Sequence, residues 1–523
     1  MTESALAGEI DVLIVGGGIN GAGIARDAAG RGLRVALLEQ SDLAAFTSSA
    51  STKLIHGGLR YLEYGELRLV REALIERERL LTIAPHLVHA LRFVLPHVPE
   101  LRPRWEIRLG LLLYDHLGGR RNLAPSRALR LDRDPAGCAL RPHLVHGFMY
   151  SDCRVDDSRL VVLNALDAAE RGAVVLPRTR LIGAVAEGGG WRAQYLDAAT
   201  GARRTVLART LVNAAGGWVD PVRRSIGLSP RLDVRLVKGS HIVVPRLFEG
   251  DAAYLLQNPD RRVVFAIPYE RDSTLIGTTD VPYDGELDAV SVSPGEIEYL
   301  CESVNRYFRR SANPSDVLWR YAGVRALKDD RAAEAAAVTR DYELHVEESP
   351  GGSLALTVIG GKLSTYRSLA ESALDVLQSR IGGSRHRWTH RAALPGGDVP
   401  HGDFQAFESE ALRRWRGLPT PTVQRMARAY GTRIERVLGS AGSLDALGER
   451  YGADLTSAEI DYLQDKEWAA CAADILWRRS KLGLAVSTAA AARLERYLSE
   501  RARRPAPAGS AAGGPEGPPA EPR

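Results

Sequence analysis

Three glycines followed by a carboxylate form the pattern in this chain that is best suited to binding a ligand. Gly16, Gly18 and Gly21 come directly after a short apolar run, and Glu39 ends a second one. In such a unit the first glycine permits a tight turn, the second lets the backbone approach a pyrophosphate, and the third lets a helix pack closely. A carboxylate about twenty residues further on can accept hydrogen bonds from a ribose, and it disfavours a 2′-phosphate. The pattern therefore predicts a dinucleotide site for FAD or NAD, and not for NADP.

The elements that must position these residues are a strand, a turn, a helix and a second strand. The turn also contains Gly17 and Asn20, and the helix begins at about Asn20. The first N–H groups of a helix have no partner within the helix and carry partial positive charge, so they attract phosphate. We expect both residues to contact the dinucleotide.

A hydroxyl-rich stretch, TSSASTKLIHGGLRYLE, follows this unit. The hydroxyls of Thr47, Ser48 and Ser49 could bind phosphate or ribose, and Arg60 and Tyr61 would face the same region. The alternative is a surface loop with no role in binding.

Two later segments repeat the arrangement of a strand that ends in small residues. TLVNAAGGW contains Gly216, and TVIGGKLSTYR contains Gly361, Lys362 and Leu363 at the start of a predicted helix. Ligands of open α/β sheets bind at the carboxyl ends of the strands. Both segments are therefore predicted to reach the dinucleotide.

Composition limits the possible partners of the protein. The net charge of +5 is modest for 523 residues, so it suits anionic small molecules or an anionic membrane surface and is too diffuse to indicate nucleic acid. The four cysteines are widely spread, and the His86–His89 pair lacks a carboxylate or thiol at useful spacing. We predict no metal site and a reducing compartment. The sequence shows no secretory signal and no apolar run of spanning length, which predicts at most peripheral membrane contact.

The predicted fold class is α/β, with a Rossmann-type dinucleotide-binding domain, an inserted antiparallel-sheet substrate domain and a C-terminal all-α domain. An amphipathic helix is also predicted over 68–91. The chain length requires more than one core. The predicted divisions are an oxidoreductase region at 1–392, with the inserted sheet at roughly 60–150 and 225–330, a linker at 393–400, an α-helical domain at 401–503 and a disordered tail at 504–523.

Residues 101–134 interleave arginines with Trp105 and a short leucine run. A basic surface with exposed apolar side chains could lie on anionic lipid. The alternative is a packed helix and loop in a protein that uses arginine for most of its positive charge.

Taken together, these strings resemble the FAD-dependent glycerol-3-phosphate dehydrogenases, the respiratory, quinone-linked flavoenzymes. The resemblance covers about residues 10–485 and includes, in order, IVGGGINGAGIARDAAGRG, TSSASTKLIHGGLRYLE, YDHLGGRRNL, YSDCRVDDSRLV, KGSHIVVPR, IGTTDVPY, GVRALKDD, TRDYEL, GGKLSTYR and ILWRRSKLGL. The second and fifth strings are far more specific than the glycine motif alone.

The resemblance implies FAD as cofactor and oxidation of sn-glycerol 3-phosphate to dihydroxyacetone phosphate, with electrons passed to a membrane quinone. It places the protein in the cytoplasm at the inner face of the membrane. Members of the family are often homodimers, although the sequence shows no interface. Arg60, Arg325 and Lys362, with Tyr61 as a further donor, would bind the substrate phosphate. His241 would be the general base, and Arg325 would also orient the reacting oxygen.

The sequence departs from the family at two places. Ala326 stands where a proline usually follows the arginine, and AAGGWVD replaces the more common Ala-Thr-Gly-Pro-Trp. Neither change removes a charged residue. The alternative functions are an amine, amino-acid or glycerol-3-phosphate oxidase that reduces oxygen, and a flavin-binding sensor without turnover.

Overall fold

The fold is taken from a computed structural model of the chain. It describes residues 6, 8–119, 123–229, 232, 234–328, 341–349 and 351–503. The predicted tail and parts of three family strings lie outside these residues.

The strands are β1 (Glu9–Val15), β2 (Val35–Leu38), β3 (Leu54–Ile55), β4 (Val88–Pro96), β5 (Arg127–Arg130), β6 (His146–Val155), β7 (Val174–Leu176), β8 (Thr179–Glu187), β9 (Gly190–Asp197), β10 (Arg203–Asn213), β11 (Val234–Pro245), β12 (Ala253–Gln257), β13 (Val263–Tyr269), β14 (Ser273–Gly277), β15 (Val281–Pro282), β16 (Trp319–Lys328), β17 (Glu343–Glu348) and β18 (Leu354–Ile359). The α-helices are α1 (Ile19–Gly30), α2 (Leu67–Ile83), α3 (Arg104–Leu117), α4 (Asp157–Glu170), α5 (Val219–Ser225), α6 (Pro294–Asn305), α7 (Tyr366–Ile381), α8 (Phe404–Arg414), α9 (Thr420–Tyr430), α10 (Ile434–Leu438), α11 (Ser457–Glu467) and α12 (Thr488–Arg503).

The first sheet is a doubly wound sheet with a parallel centre. Its parallel strands lie in the order β18, β10, β1, β2 and β7, and β17, β8 and β9 add antiparallel pairs. The last four residues of β1 are all buried, as is typical of a central parallel strand covered on both faces. Helix α1 packs against α4 and α7, and its small residues Ala22, Ala25 and Ala28 are fully buried there. The α/β fold class is confirmed.

The second sheet is mostly antiparallel and contains ten strands. Its order is β15, β11, β14, β13, β12, β4, β6 and β3, with β16 paired to β11 and β5 to β6. In the long β11–β16 pair, Val237 lies opposite Arg325 and His241 opposite Tyr321. This register places two of the predicted site residues on adjacent strands.

The predicted helix over 68–91 is too long, because α2 ends at Ile83 and the chain then enters β4. Nine residue pairs join β4 to β6, from Val88–Val155 to Pro96–Gly147. This tertiary pairing outweighs the helical periodicity of the local sequence.

The last hundred described residues form helices with a hydrophobic core of their own. They dock on helix α4 and on the segment after β2 through buried ion pairs, Arg159 with Glu467, and Arg479 with Asp42 at 2.9 Å between Nη1 and Oδ2. Among the described residues, no helix combines the length and the apolar character needed to cross a membrane.

Candidate active site

The glycine turn after β1 brings backbone segments so close together that side chains are excluded. Gly16 has a φ of +111°, and a Cβ there would lie 2.5 Å from the carbonyl oxygen of Ala214. A Cβ on Gly21 would lie 1.8 Å from the carbonyl oxygen of Gly16. The turn is therefore built to present backbone, and helix α1 points its N-terminus at the same place.

Glu39 is fixed at the end of β2 by backbone donors. The N–H of Gly17 donates to Oε2 at 2.6 Å, and the N–H of Ser41 donates to Oε1 at 2.8 Å. Burial raises the pKa of Glu39, while these two hydrogen bonds oppose the change. A carboxylate oriented in this way can accept hydrogen bonds from the hydroxyls of a ribose.

The predicted hydroxyl cluster divides among three tasks. Ser48 Oγ accepts the N–H of Ile19 at 3.0 Å, at the first residue of α1. Thr47 Oγ1 donates to the carbonyl oxygen of Val324 at 2.7 Å, which ties the nucleotide turn to β16. Ser49 Oγ instead donates within its own turn, to Phe46.

A cavity of about 380 Å³ lies where the carboxyl ends of the parallel strands meet β16 of the second sheet. It brings together most of the predicted residues. Those that line it are Gly16, Gly18, Asn20, Glu39, Thr47, Ser48, Gly216, Arg325, Gly361, Lys362 and Leu363. Those that do not are Gly17, Gly21, Ser49, Arg60, Tyr61 and His241.

Lys362, which lines this cavity, contacts Tyr61, which does not. The Lys362 Nζ lies 3.7 Å from the centre of the Tyr61 ring, a cation–π contact. The two chain segments are also joined by Ser364, whose Oγ accepts the N–H of His56 and donates to the carbonyl oxygen of the same residue, both at 3.1 Å. Arg60 precedes Tyr61 in the same short 3₁₀ helix and is half-buried.

Arg325 enters the cavity from β16. Its Nη2 lies 2.6 Å from Asp280 Oδ1 and donates more weakly to the carbonyl oxygen of Thr279 at 3.4 Å. The ion pair holds the guanidinium in place, since Asp280 is almost fully buried. A guanidinium carries five N–H donors in a planar fork, which suits it to bind an oxyanion as well.

His241 lies in β11, where its ring stacks on Tyr321 with 4.9 Å between the centroids. Its Nε2 lies 2.9 Å from Thr52 Oγ1, and the residue is only 2% exposed. Burial lowers the pKa of His241 to about 3, with further lowering by Lys53 and Arg325. The imidazole is therefore neutral at physiological pH and can accept a proton, and a bound dianion would raise its proton affinity.

A buried group of charges next to His241 was not predicted. Lys53 pairs with Asp157, and Lys481 reaches the same carboxylate from the C-terminal helices. Lys238 is buried as well and pairs with Glu296. All three lysines lie inside strings quoted above, but no local feature of those strings indicates that they are buried. Among the described residues, no group of three or more histidine, cysteine or acidic side chains is placed to hold a metal.

This geometry defines a dinucleotide-dependent oxidoreductase, in which a glycine turn and an oriented carboxylate lie beside fixed cations. Comparison with known proteins identifies the family. The model of the FAD dependent oxidoreductases matches residues 11–367, and that of the C-terminal domain of alpha-glycerophosphate oxidase matches residues 387–503.

Several characterised proteins are similar over nearly the whole chain. A glycerol-3-phosphate dehydrogenase of Pseudomonas aeruginosa is 51% identical, with 96% of this chain and 98% of the relative covered. The aerobic enzyme of Escherichia coli is 47% identical, with 94% and 97% covered. A D-erythritol 1-phosphate dehydrogenase of Brucella abortus is 50% identical, with 90% and 94% covered.

Among solved structures, a glycerol-3-phosphate dehydrogenase from Bacillus halodurans complexed with FAD matches with a TM-score of 0.74 and 26% identity, with 95% of this chain and 92% of that chain covered. The chain belongs to the family of FAD-dependent glycerol-3-phosphate dehydrogenases. Its dinucleotide is FAD, which resolves the choice that the glycine motif left open.

Proposed function

We propose that this protein oxidises sn-glycerol 3-phosphate to dihydroxyacetone phosphate and passes the electrons to a membrane quinone. The observation that supports the proposal is that Arg325 and Lys362 line the same cavity as the glycine turn. A phosphate ester needs fixed positive charge in a partly dry pocket, and these two cations supply it.

The cavity fits FAD for two physical reasons. The glycine turn leaves room only for backbone, so a pyrophosphate can approach the first N–H groups of α1. Glu39 is held at the neighbouring strand end by two backbone donors. The ligands proposed for FAD are Gly16, Gly17, Gly18, Asn20, Gly21, Glu39, Thr47, Ser48, Ser49, Gly216, Gly361, Lys362 and Leu363.

The substrate residues would divide the work between binding and proton transfer. Lys362, Arg60 and Tyr61 would bind the phosphate, and Arg325 would bind it or orient the reacting hydroxyl. The neutral imidazole of His241 would take the hydroxyl proton as the carbon–hydrogen bond breaks. Bound FAD supplies the acceptor for the hydride and its electron pair, which leaves a ketone at the middle carbon.

D-erythritol 1-phosphate is the second candidate substrate, because the Brucella abortus relative named for it is 50% identical to this chain. It would use the same phosphate and base contacts, and its extra carbon and hydroxyl would need added space. Comparison of kcat/KM for the two phosphates decides between them.

Contact with a membrane would use helix α3. Its Trp105, Leu109, Leu112 and Leu113 are between 40% and 69% exposed on one face, while Ile107, Leu111 and Tyr114 are buried on the other. Arg104 and Arg108 of the same helix are exposed as well. An apolar helix face bordered by positive charge suits the interface of an anionic bilayer. This supports contact with a membrane surface. The inner face of the cell membrane, where the quinone would be reached, is proposed from the family resemblance.

The test is anaerobic addition of glycerol 3-phosphate to the purified flavoprotein. Loss of the flavin absorbance, followed by rapid reoxidation with a soluble quinone and slow reoxidation with oxygen, is the expected result. Bleaching by glycine or proline instead would indicate an amino-acid oxidase, and rapid reaction with oxygen would indicate a peroxide-forming oxidase. No bleaching by any of these compounds would favour a sensor.

Sedimentation velocity would test whether the protein is a homodimer.

A further inference from the structure

Three buried charges lie between the nucleotide-binding sheet and the C-terminal helices. Lys53 Nζ is 2.8 Å and 3.0 Å from the two carboxylate oxygens of Asp157, and Lys481 Nζ is 3.1 Å from Oδ1 of the same group. The exposed fractions of the three side chains are 8%, 0% and 9%. Lys481 Nζ also lies 3.5 Å from Asp156 Oδ1, so two lysines are paired with two carboxylates there. Taking charged side chains out of water is costly even when they are paired, and packing alone does not account for it.

The cluster contacts the surroundings of His241 on two sides. The Lys53 ammonium lies 5.0 Å from the centre of the Tyr321 ring, which stacks on His241. Tyr321 also donates its hydroxyl to the carbonyl oxygen of Ser51 at 2.9 Å. Thr52, which contacts His241 Nε2, is therefore held between two residues that are themselves fixed.

The backbone of Lys53 is strained. Its φ is +59°, in the left-handed region that residues with a side chain seldom adopt. The buried ion pair and the donation from Nζ to the carbonyl oxygen of Ser49 at 2.9 Å keep the turn in this conformation. Strain of this kind persists where the surroundings over-determine the backbone, and it clusters at functional sites.

We propose that Lys53 is a positioning residue for the oxidation reaction: with Asp157 it fixes the turn that presents Thr52 to His241, and Lys481 secures this arrangement from the C-terminal helices. The inference rests on the proposed role of His241 as the base. It gives the C-terminal helices a part in the chemistry without any contact between them and the substrate.

The charges around His241 agree with this role. Apart from burial, Lys53 and then Arg325 lower the pKa of His241, whereas Asp157 and Asp280 raise it. Burial and the nearby Lys481 lower the pKa of Lys53 itself to about 8, against the opposing effect of Asp157. Loss of the Lys53 charge should therefore raise the pKa of His241.

The test compares Lys53→Met with Lys481→Met in the full-length, FAD-loaded protein with glycerol 3-phosphate as substrate. Either single change leaves Asp157 paired with the other lysine, so both variants should fold. In Lys53→Met we expect the flavin content of the wild type and a KM within about twofold of it. We expect kcat to be lower by about 10- to 100-fold. The acid limb of the pH profile of kcat/KM should move to higher pH. Lys238→Met is the control, since it removes another buried lysine from an ion pair and should leave the acid limb in place.

The possible outcomes separate this inference from the proposed function. If wild-type protein is not bleached by glycerol 3-phosphate, or if His241→Gln turns over normally, the proposed function or its base fails. If His241→Gln is inactive while Lys53→Met keeps the wild-type kcat and acid limb, the role of Lys53 is overturned. If Lys53→Met loses its flavin, Lys481→Met decides: a fall in kcat with full flavin content supports the inference, and an unchanged kcat refutes it.

Discussion

Replacement of Arg325 by alanine separates substrate binding from structural support. The guanidinium lines the cavity and is also paired with Asp280 at 2.6 Å. Alanine removes both interactions at once. A double variant, Arg325→Ala with Asp280→Asn, removes the guanidinium and also the carboxylate that it leaves unpaired.

The two losses have different magnitudes. A hydrogen bond to a charged group contributes about 1.5–3 kcal/mol. At about 1.4 kcal/mol per factor of ten, kcat/KM should fall about 10- to 150-fold. Breaking a buried ion pair costs about 3–5 kcal/mol of stability. Because the Arg325 side chain is 23% exposed, the loss of stability should lie near the lower end of that range.

The assay measures kcat/KM for glycerol 3-phosphate, thermal unfolding and flavin absorbance in both variants. We expect the single variant to remain yellow, to melt at lower temperature and to lose kcat/KM. The double variant should regain stability and not activity. Arg320→Ala is the matched control, because this arginine lies on the same strand and is exposed. If the double variant recovers wild-type kcat/KM, Arg325 serves only to neutralise Asp280, and its proposed contact with substrate is refuted.

Three further predictions follow from the geometry. Gly21→Ala should abolish FAD binding because its Cβ would lie 1.8 Å from a carbonyl oxygen. Gly110→Ala is the control and should keep the flavin, because the space around its Cβ is open. Retained flavin in Gly21→Ala would contradict the placement of the turn. Burial lowers the pKa of both His86 and His241 to about 3. Below about pH 6.5 the unfolded protein therefore binds more protons than the folded protein, and the free energy of unfolding should fall as the pH drops towards 3. Chemical denaturation should show a smaller fall in His86→Phe than in the wild type, and an equal fall would show that His86 does not contribute to the pH dependence. Leu109→Glu should reduce co-sedimentation with anionic liposomes. Val185→Glu should not, because Val185 is an exposed residue of β8, far along the chain from α3. Equal binding of the two variants would show that α3 does not form the membrane-binding surface.

The nucleotide-binding part of the fold could be predicted because its determinants are local. Gly16, Gly21 and Glu39 act within one strand–turn–helix–strand unit, so their spacing is visible in the sequence and the structure confirms the fold class. The end of helix α2 could not be predicted in this way, because β4 is specified by its pairing with β6, far along the chain.

The polar surroundings of the candidate site were harder to predict for the same reason. Arg325 and Lys362 carry a charge in a recognisable string, but their partners Asp280 and Tyr61 come from other segments. The burial of Lys53 depends on Asp157, which lies 104 residues away. No local pattern distinguishes a lysine with such a partner from one in solvent.

With His241 as the proposed base, its low proton affinity would couple substrate binding to proton transfer. In the free protein the ring lies among Lys53, Arg325, Asp157 and Asp280, and burial with the two cations keeps it neutral. A phosphate dianion at Lys362 and Arg325 would offset that positive charge and raise the pKa of His241. The ring would then become a stronger base only once the substrate is in place. A non-anionic polyol would leave it a weak base, so glycerol should be a poor substrate through kcat as well as through KM, a split that steady-state kinetics on the two compounds would measure.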